Sequence, residues 1–258
     1  MNRFIDDIKK YRFLLYELVS RDIKVRYRRS VLGLLWTMLN PILMMIVMTI
    51  VFSNLFRFEI EYYPVYLFTG NILFSFMTES TTNAMNSIDE GGSLIKKVYI
   101  PKYIFPVSKV FAGVVNFFFS IIAMFLVMII LRAPFHWTML LIPVVMIYLI
   151  VFCIGLGMLL ASIQVFFRDV AHFYSVITLA WMYLTPVFYP ESLLRDHAEI
   201  LLTLNPMAHY ISYMRNLVLY DVVPGFRSNL VCLGISLAML LIGVTVFRKR
   251  QNRFILYI

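Results

Sequence analysis

The most constraining feature of this sequence is the run of residues 31–56, which contains no charged side chain. An α-helix needs about 20 residues to cross the hydrocarbon core of a bilayer, so this run is long enough to span a membrane. The chain as a whole has 258 residues, of which 61% are hydrophobic and 14% are charged. Soluble domains are typically about 45–50% apolar and about 25% charged. We therefore predict an all-α integral membrane protein.

We predict six transmembrane helices, which form one domain over residues 31–258. They cover residues 31–56, 65–88, 110–131, 137–163, 171–188 and 229–247. The second is the most polar of the six, so we expect it to lie inside the helix bundle or to line water. We predict no signal peptide, because the first apolar run begins only at Val31 and no small-residue cleavage pattern follows it.

The distribution of positive charge predicts the orientation of the chain. Of the 23 Lys and Arg residues, 18 lie in residues 1–30, in the 89–109 and 164–170 loops and in the C-terminal tail. The opposite side holds only Arg57, Arg132, Arg195, Arg215 and Arg227. Because cytoplasmic segments are enriched in Lys and Arg, both termini are predicted to be cytoplasmic. The net charge of +9 is then a topology signal with an anionic-lipid component, and it implies no nucleic acid.

Residues 1–30 are predicted to form an amphipathic helix in the cytoplasmic membrane interface. Apolar side chains recur there at helical spacing, at Phe4, Ile8, Tyr11, Leu15 and Leu18. Strict alternation over residues 22–29 fits either a strand or an irregular helix end. Arg26, Arg28 and Arg29 in this segment are either topology anchors or a site for an anionic lipid headgroup or diphosphate.

No catalytic or metal-binding motif accompanies these helices. Residues 91–97 lack the spacing of a phosphate-binding loop, and there is no GxSxG, HExxH or acidic metal cluster. Cys153 and Cys232 lie within apolar segments and are interpreted as small hydrophobic residues. We predict no enzyme activity, no metal and no cofactor bound by this chain, so any nucleotide hydrolysis must come from elsewhere.

Two predicted spans carry polar faces. In the second span, one helical stripe contains Asn71, Ser75, Thr78, Thr82 and Asn86, with Glu79 at its edge. Such a stripe either hydrates a conduit or joins helices. Glu79 is the only acid inside a predicted span, and it is either a functional residue or a partner in an interhelical hydrogen bond.

The fifth span presents an aromatic and hydroxyl-bearing face. Its members are Tyr174, Thr178, Trp181 and Thr185. Aromatic rings stack on the C–H faces of sugars and hydroxyls exchange hydrogen bonds with them, so this face suits a sugar polymer, although core packing is the alternative.

Two connections are predicted to carry out specific tasks. The 89–109 loop contains a short helix, a proline break and exposed apolar groups beside lysines, which indicates a docking surface for a soluble partner. Its candidate residues are Leu94, Ile95, Lys96, Lys97, Tyr99, Ile100, Pro101 and Lys102. The external 189–228 loop is predicted to form two short re-entrant helices over an exit. Asn205 and Pro206 mark the N-cap and first turn of the second one, which continues through Tyr210 and Met214.

Four stretches of the chain resemble the membrane subunit of type-2 ABC exporters that move lipid-linked polysaccharides such as O-antigen and teichoic acid. They are RDIKVRYR with LGLLW and NP at residues 21–41, LIKKVYIPK at 94–102, FRDV with LTPVFYP at 167–190, and LNP with MR at 204–215. The stretches follow the family's order over nearly the whole chain.

The resemblance implies a homodimer of six-span subunits in the bacterial inner membrane, bound to two copies of a cytoplasmic ATPase that holds ATP and Mg²⁺. It implies a channel at the dimer interface, an ATPase-coupling loop at about residues 89–105 and an outer gate formed by the 189–228 loop. The predicted function is export of an undecaprenyl-diphosphate-linked polysaccharide. The alternatives are a type-2 permease for a small lipid or drug and, from another class, a membrane enzyme acting on polyprenyl phosphate, which would need acidic metal ligands or a catalytic base.

Overall fold

The computed structural model describes residues 2–27, 33–56, 60–98 and 100–257, and within these ranges the chain is helical and has no β-strand. The α-helices are α1 (Asn2–Tyr27), α2 (Trp36–Phe56), α3 (Tyr63–Glu90), α4 (Gly92–Lys97), α5 (Ile104–Ile130), α6 (Ile142–Gln164), α7 (Val170–Tyr183), α8 (Glu191–Leu204), α9 (Pro206–Val218) and α10 (Phe226–Arg250). Short 3-10 helices lie at Gly33–Leu35, Trp137–Leu141 and Gln251–Leu256. The all-helical fold class predicted from composition is confirmed.

Several helices have the length and composition of membrane spans. Within the described ranges, three segments are long and apolar enough to cross a bilayer: Ile104–Ile130, Trp137–Gln164 and Phe226–Leu256. Trp36–Phe52 and Val170–Tyr183 are shorter apolar helices. α3 is helical throughout the second predicted span but is too polar to join that group. A multi-pass architecture is therefore confirmed, and the count of six spans stays a prediction.

Two local assignments are decided by the structure. The alternating segment from residue 22 continues as helix to Tyr27, so the strand alternative is wrong over its described part. The fifth span, predicted to end at residue 188, ends at Tyr183. Pro186 cannot supply a helical N–H, and the N–H of Val187 instead bonds to the carbonyl of Thr185 at 2.7 Å, which turns the chain.

The core is built around α3 and α6. α3 packs along α5 and α6, and α6 packs along α10. The last pair approaches through glycine, because a Cβ built on Gly155 would lie 2.5 Å from the backbone nitrogen of Leu240. Small residues of this kind allow helix backbones to approach closely in membranes. The bundle thereby holds the polar helix α3 against apolar neighbours on two sides.

The connection between α7 and α10 contains the two short helices predicted from the sequence. Asn205 lies between them, and its Oδ1 accepts a hydrogen bond from the N–H of Met207 at 3.0 Å. Pro206 occupies the first turn of α9, where its missing N–H costs nothing. The predicted cap is confirmed, while a re-entrant or gating role for α8 and α9 stays a prediction.

Candidate functional site

A partly open cavity of about 570 Å³ lies between α2, α3 and α5, and we call it the polar cavity. Asn71, Ser75 and Glu79 line it from α3, because residues four apart share one face of a helix. Further polar side chains come from α2 and α5. These are Thr37, Asn40, Asn116 and Ser120. The sequence analysis missed these four residues. The available signal was their spacing, because Thr37 and Asn40 lie three residues apart on α2, and Asn116 and Ser120 lie four residues apart on α5.

Aromatic side chains form part of the wall of the polar cavity. Trp36, Phe76 and Phe117 contribute to its lining, and the rings of Phe76 and Phe117 lie 4.9 Å apart between centroids. The cavity therefore offers amides and hydroxyls that exchange hydrogen bonds, next to apolar rings. This combination matches a ligand with many hydroxyl groups and apolar C–H faces.

Glu79 is the one charged residue among the described residues that line the polar cavity. Its Oε1 accepts a hydrogen bond from Nδ2 of Asn116 on α5 at 3.3 Å. The interhelical hydrogen bond, one of the two alternatives raised for this residue, is therefore present, and a functional role for Glu79 stays a prediction. This hydrogen bond links α3 to α5 at the wall of the polar cavity.

The predicted stripe on α3 is only partly represented in the polar cavity. Thr78 and Thr82 are half-buried and do not contribute to its lining. α7 contributes Met182, which was not among the predicted residues. A helical wheel places residues on a face, but the neighbouring helices decide which part of that face borders open space.

The aromatic face of α7 is packed against other parts of the chain. Tyr174 is 5% exposed, and its hydroxyl is hydrogen-bonded to that of Thr81 on α3 at 2.6 Å. Thr178 is also buried and donates to the carbonyl of Tyr174 at 2.9 Å. In this single chain neither side chain borders the polar cavity, and their part in a polymer path stays a prediction.

The C-terminal part of the α7 face, at Trp181 and Thr185, contacts the start of α9. Trp181 donates from Nε1 to Oδ1 of Asn205 at 2.8 Å. Asn205 in turn donates from Nδ2 to the hydroxyl of Thr185 at 2.8 Å. One asparagine therefore caps α9 and binds it to the end of α7, so the two predicted groups, the channel face and the external gate, are physically joined.

The remaining predicted gate residues anchor α9 in the core. Tyr210 and Met214 are fully buried. The hydroxyl of Tyr210 is hydrogen-bonded to that of Ser236 on α10 at 2.7 Å. α9 is thus held against the bundle by these contacts. A movement of α9 relative to α10 would break the hydrogen bond between Tyr210 and Ser236.

Arg215 is the most unexpected residue near this site. Its predicted place on the external side stays a prediction, but its side chain is only 1% exposed, which the sequence did not indicate. Its guanidinium donates to the carbonyls of Pro186 at 2.7 Å and Val187 at 3.0 Å, and it lies 3.4 Å from the centre of the Tyr66 ring. Arg215 therefore ties α9 to the turn after α7 and to α3. Its position between apolar residues of an amphipathic helix was the available signal.

The predicted coupling loop is less exposed than expected. Lys96 and Lys97 are exposed, and Leu94, Ile100, Pro101 and Lys102 are half-buried. Ile95 is buried, so the prediction that it is exposed was wrong. It belongs to a second hydrophobic cluster that also contains Ile88, Phe105 and Phe254. Tyr99 lies outside the described residues.

The C-terminal 3-10 helix packs against this loop. Nζ of Lys102 donates to the carbonyl of Gln251 at 2.6 Å and lies 5.8 Å from the centre of the Phe254 ring. Burial lowers the pKa of the Lys102 ammonium. Phe254 is fully buried and contacts the ring of Phe247 at 5.3 Å between centroids. The 3-10 helix Gln251–Leu256 therefore packs into the same hydrophobic cluster as Ile95 of α4.

The predicted diphosphate site falls largely outside the described part of the chain. Arg28 and Arg29 lie outside the described residues, and nothing is described of the side chain of Arg26. Nearby, Nζ of Lys109 on α5 forms ion pairs with Asp22 of α1 at 3.1 Å and with Glu90 of α3 at 2.7 Å. These contacts connect α1 to the bundle next to the predicted coupling loop.

Taken together, the apolar helices and the polar cavity between them describe a multi-pass membrane protein with a polar space inside its helical bundle. In the described part of the chain, no three His, Cys, Asp or Glu side chains are grouped so that they could hold a metal. Residues 14–219 match the ABC-2 type transporter family, and the chain belongs to that family.

Individual relatives agree with this assignment. The chain is 31% identical over 256 residues to the O-antigen export system permease protein RfbA of Myxococcus xanthus, covering 98% of each protein. It is 30% identical over 244 residues to the RfbA protein of Klebsiella pneumoniae, covering 93% of each. It is also 23% identical to the capsule polysaccharide export inner-membrane protein CtrC of Neisseria meningitidis, over 95% of this chain and 94% of that one. The family resemblance predicted from the four stretches is confirmed.

Proposed function

We propose that this chain is the channel-forming subunit of an ATP-driven exporter of undecaprenyl-diphosphate-linked polysaccharide, of the O-antigen or teichoic acid class, in the bacterial inner membrane. In this proposal two copies of the chain, with both termini cytoplasmic, form a homodimer on two ATPase subunits, which hold ATP and Mg²⁺. The observation that carries the proposal is the polar cavity, in which Asn71, Ser75 and Asn116 stand beside Phe76 and Phe117. The relatives, whose names describe polysaccharide export, favour a glycan over a small lipid or drug.

A long polymer must bind at each step without being trapped. Neutral hydrogen bonds contribute a net stabilisation of only about 0.5–1.5 kcal/mol each. Stacking of sugar faces on aromatic rings is similarly modest. A path lined by amides, hydroxyls and rings can therefore hold each sugar unit weakly and release it to the next position.

Filling the polar cavity is expected to block export. Ser75→Trp places an indole where Asn71 and Glu79 leave open space, because the Ser75 side chain is exposed within the lining. We expect export of the lipid-linked polymer to fall to background, while the protein still assembles with the ATPase. Export would be measured as polymer accumulated outside the membrane of cells with matched amounts of the subunit.

The matched control is Ile147→Trp, which adds similar bulk to an exposed position of α6 away from the polar cavity. This variant is expected to export at the rate of the unmodified protein. Full export by Ser75→Trp would contradict the assignment of the polar cavity to the polymer path.

The proposal also assigns contact with the ATPase to α4 and the following loop. The exposed Lys96 and Lys97 and the half-buried Leu94 support a mixed basic and apolar docking surface. Arg26, Arg28 and Arg29 are proposed to hold the lipid diphosphate at the cytoplasmic leaflet, because guanidinium groups bind phosphate oxygens in pairs.

Phe254→Ala is expected to weaken coupling between ATP hydrolysis and export. Truncating a buried Phe to Ala typically costs about 3–5 kcal/mol, and here the loss falls on the cluster beneath Ile95 and Phe105. We expect more ATP hydrolysed per polymer exported, measured in proteoliposomes that contain the complete transporter. Arg253→Ala, at the adjacent exposed position, is the control. An unchanged ratio for Phe254→Ala would contradict a supporting role of the chain end.

A further inference from the structure

We infer that residues 248–257, the C-terminal segment, form a binding surface for anionic phospholipid. Its basic side chains lie on the lipid headgroups, and its exposed apolar side chains enter the outer part of the hydrocarbon. The inference requires α10 to span the membrane. It does not depend on the substrate or on the ATPase partner of the proposed function.

The first argument is the depth of the C-terminal segment in the membrane. Residues 228–247 of α10 contain no charged side chain. At a rise of about 1.5 Å per residue, this run matches the hydrocarbon thickness of a bilayer, about 30 Å. Arg248, Lys249 and Arg250 follow it directly. They therefore lie in the headgroup layer, which is about 5–7 Å thick on each side.

The second argument is that the chain folds back at this depth. After Arg250 it continues as the 3-10 helix Gln251–Leu256. The ring of Phe254 packs against that of Phe247, the last residue of the uncharged run, at 5.3 Å between centroids. The C-terminal segment therefore stays at the level of the bilayer surface and does not extend away from it, where a soluble partner would meet it.

One face of the 3-10 helix is held by the protein. Because a 3-10 helix has three residues per turn, Gln251, Phe254 and Tyr257 share this face. Phe254 is fully buried, and the ring of Tyr257 lies 4.8 Å from that of Phe166 between centroids. These contacts fix which side chains of the segment turn away from the bundle.

The side chains that turn away from the bundle combine charge and apolar surface. Arg253 is exposed, and Ile255 and Leu256 are 52% and 76% exposed. Exposed apolar groups next to basic ones are typical of a segment that lies in a membrane interface. A lipid surface would bury the apolar groups and leave the guanidinium of Arg253 at the headgroups.

The third argument is charge complementarity. The C-terminal segment contains four basic side chains, those of Arg248, Lys249, Arg250 and Arg253, and no Asp or Glu occurs in the sequence after Asp221. Clusters of four or more Lys and Arg directly after a membrane span are typical of binding to anionic lipid. The occupant that fits this surface is therefore a lipid whose headgroup carries a net negative charge.

The test uses the complete transporter in vesicles of equal parts phosphatidylcholine and phosphatidylglycerol. Cys153 and Cys232 are buried, so a fluorescent thiol probe on Asn252→Cys, attached before the ATPase is added, reports from the C-terminal segment. In one preparation phosphatidylglycerol carries a spin label near its headgroup, and in the other phosphatidylcholine carries it, so the two surfaces have the same charge. The measured quantity is the ratio of quenching, labelled phosphatidylglycerol over labelled phosphatidylcholine. We expect a ratio of about five or more, since each basic residue near an anionic surface contributes about that factor.

Lys249→Gln combined with Arg253→Gln is expected to lower this ratio by about two-fold or more, because it removes half of the positive charge of the C-terminal segment. The matched control is Lys96→Gln combined with Lys97→Gln, which removes the same charge from the exposed end of α4 and should leave the ratio unchanged. Ile255→Ser combined with Leu256→Ser should weaken quenching by both lipids, because the apolar groups that enter the hydrocarbon are lost.

Three results would overturn the inference. Equal quenching by the two labelled lipids would show contact with the membrane but no selection of anionic lipid. Absence of quenching by either lipid would place the C-terminal segment in water or under the ATPase. A ratio that Lys249→Gln with Arg253→Gln leaves unchanged would remove the assignment to the basic side chains. None of these results bears on the proposed function, because export is not measured.

Discussion

Gly243→Ala is expected to destabilise the folded protein strongly. A Cβ at this position of α10 would collide with the backbone carbonyl of Gly155 on α6. Because the Cβ position is fixed by the backbone of α10, no side-chain rotation can relieve the clash. Overpacking in a core usually costs about 1–3 kcal/mol, and a separation of the α6 and α10 backbones would exceed that range. We expect a large fall in melting temperature and in the monodisperse fraction in detergent.

Gly234→Ala is the matched control for this prediction. It lies on the same helix, and a Cβ built there meets nothing within 4 Å. Because Ala is favoured over Gly in a helix by about 0.5–1 kcal/mol, this variant should be neutral or slightly more stable. Equal melting temperatures for the two variants would show that the α6 and α10 backbones do not approach as closely as described.

Arg215→Met is expected to destabilise the part of the bundle around α9 by about 3 kcal/mol or more, since leaving a buried polar group unsatisfied costs about 1–3 kcal/mol and two carbonyls are affected. The change removes the donors to Pro186 and Val187 and the guanidinium that lies on the Tyr66 ring. Arg215→Lys should be nearly as damaging, because an ammonium lacks the planar fork that reaches both carbonyls. Thermal unfolding of purified protein measures both effects.

Arg227→Met provides the comparison, because Arg227 is exposed near the start of α10. Its replacement is expected to shift the melting temperature little, as is usual for surface substitutions. If Arg215→Met and Arg227→Met unfold at the same temperature, the buried contacts of Arg215 contribute no net stability.

Arg215 and Ile95 also show what the sequence alone does not reveal. Both lie in helices outside the apolar spans. The periodicity of the sequence indicates which face of its helix each residue occupies, but it does not indicate which part of the chain packs against that face. The chain turns at Pro186 and brings two carbonyls to Arg215, while the C-terminal Phe254 closes over the cluster that contains Ile95. These partners lie far apart along the chain, so the pattern around each residue could not identify them.

The sequence by itself determined that this protein is a helical, multi-pass membrane protein, because apolar content and the length of uncharged runs are properties of the chain alone. It also determined the cap at Asn205 and the common face of Asn71, Ser75 and Glu79, because these depend on residues a few positions apart. Only the tertiary structure decided that Asn116 and its helix complete the polar cavity and that the face of α7 is packed. The physical reason is that a polar stripe has the same period whether it borders a cavity or another helix, and only the position of the neighbouring helix separates the two.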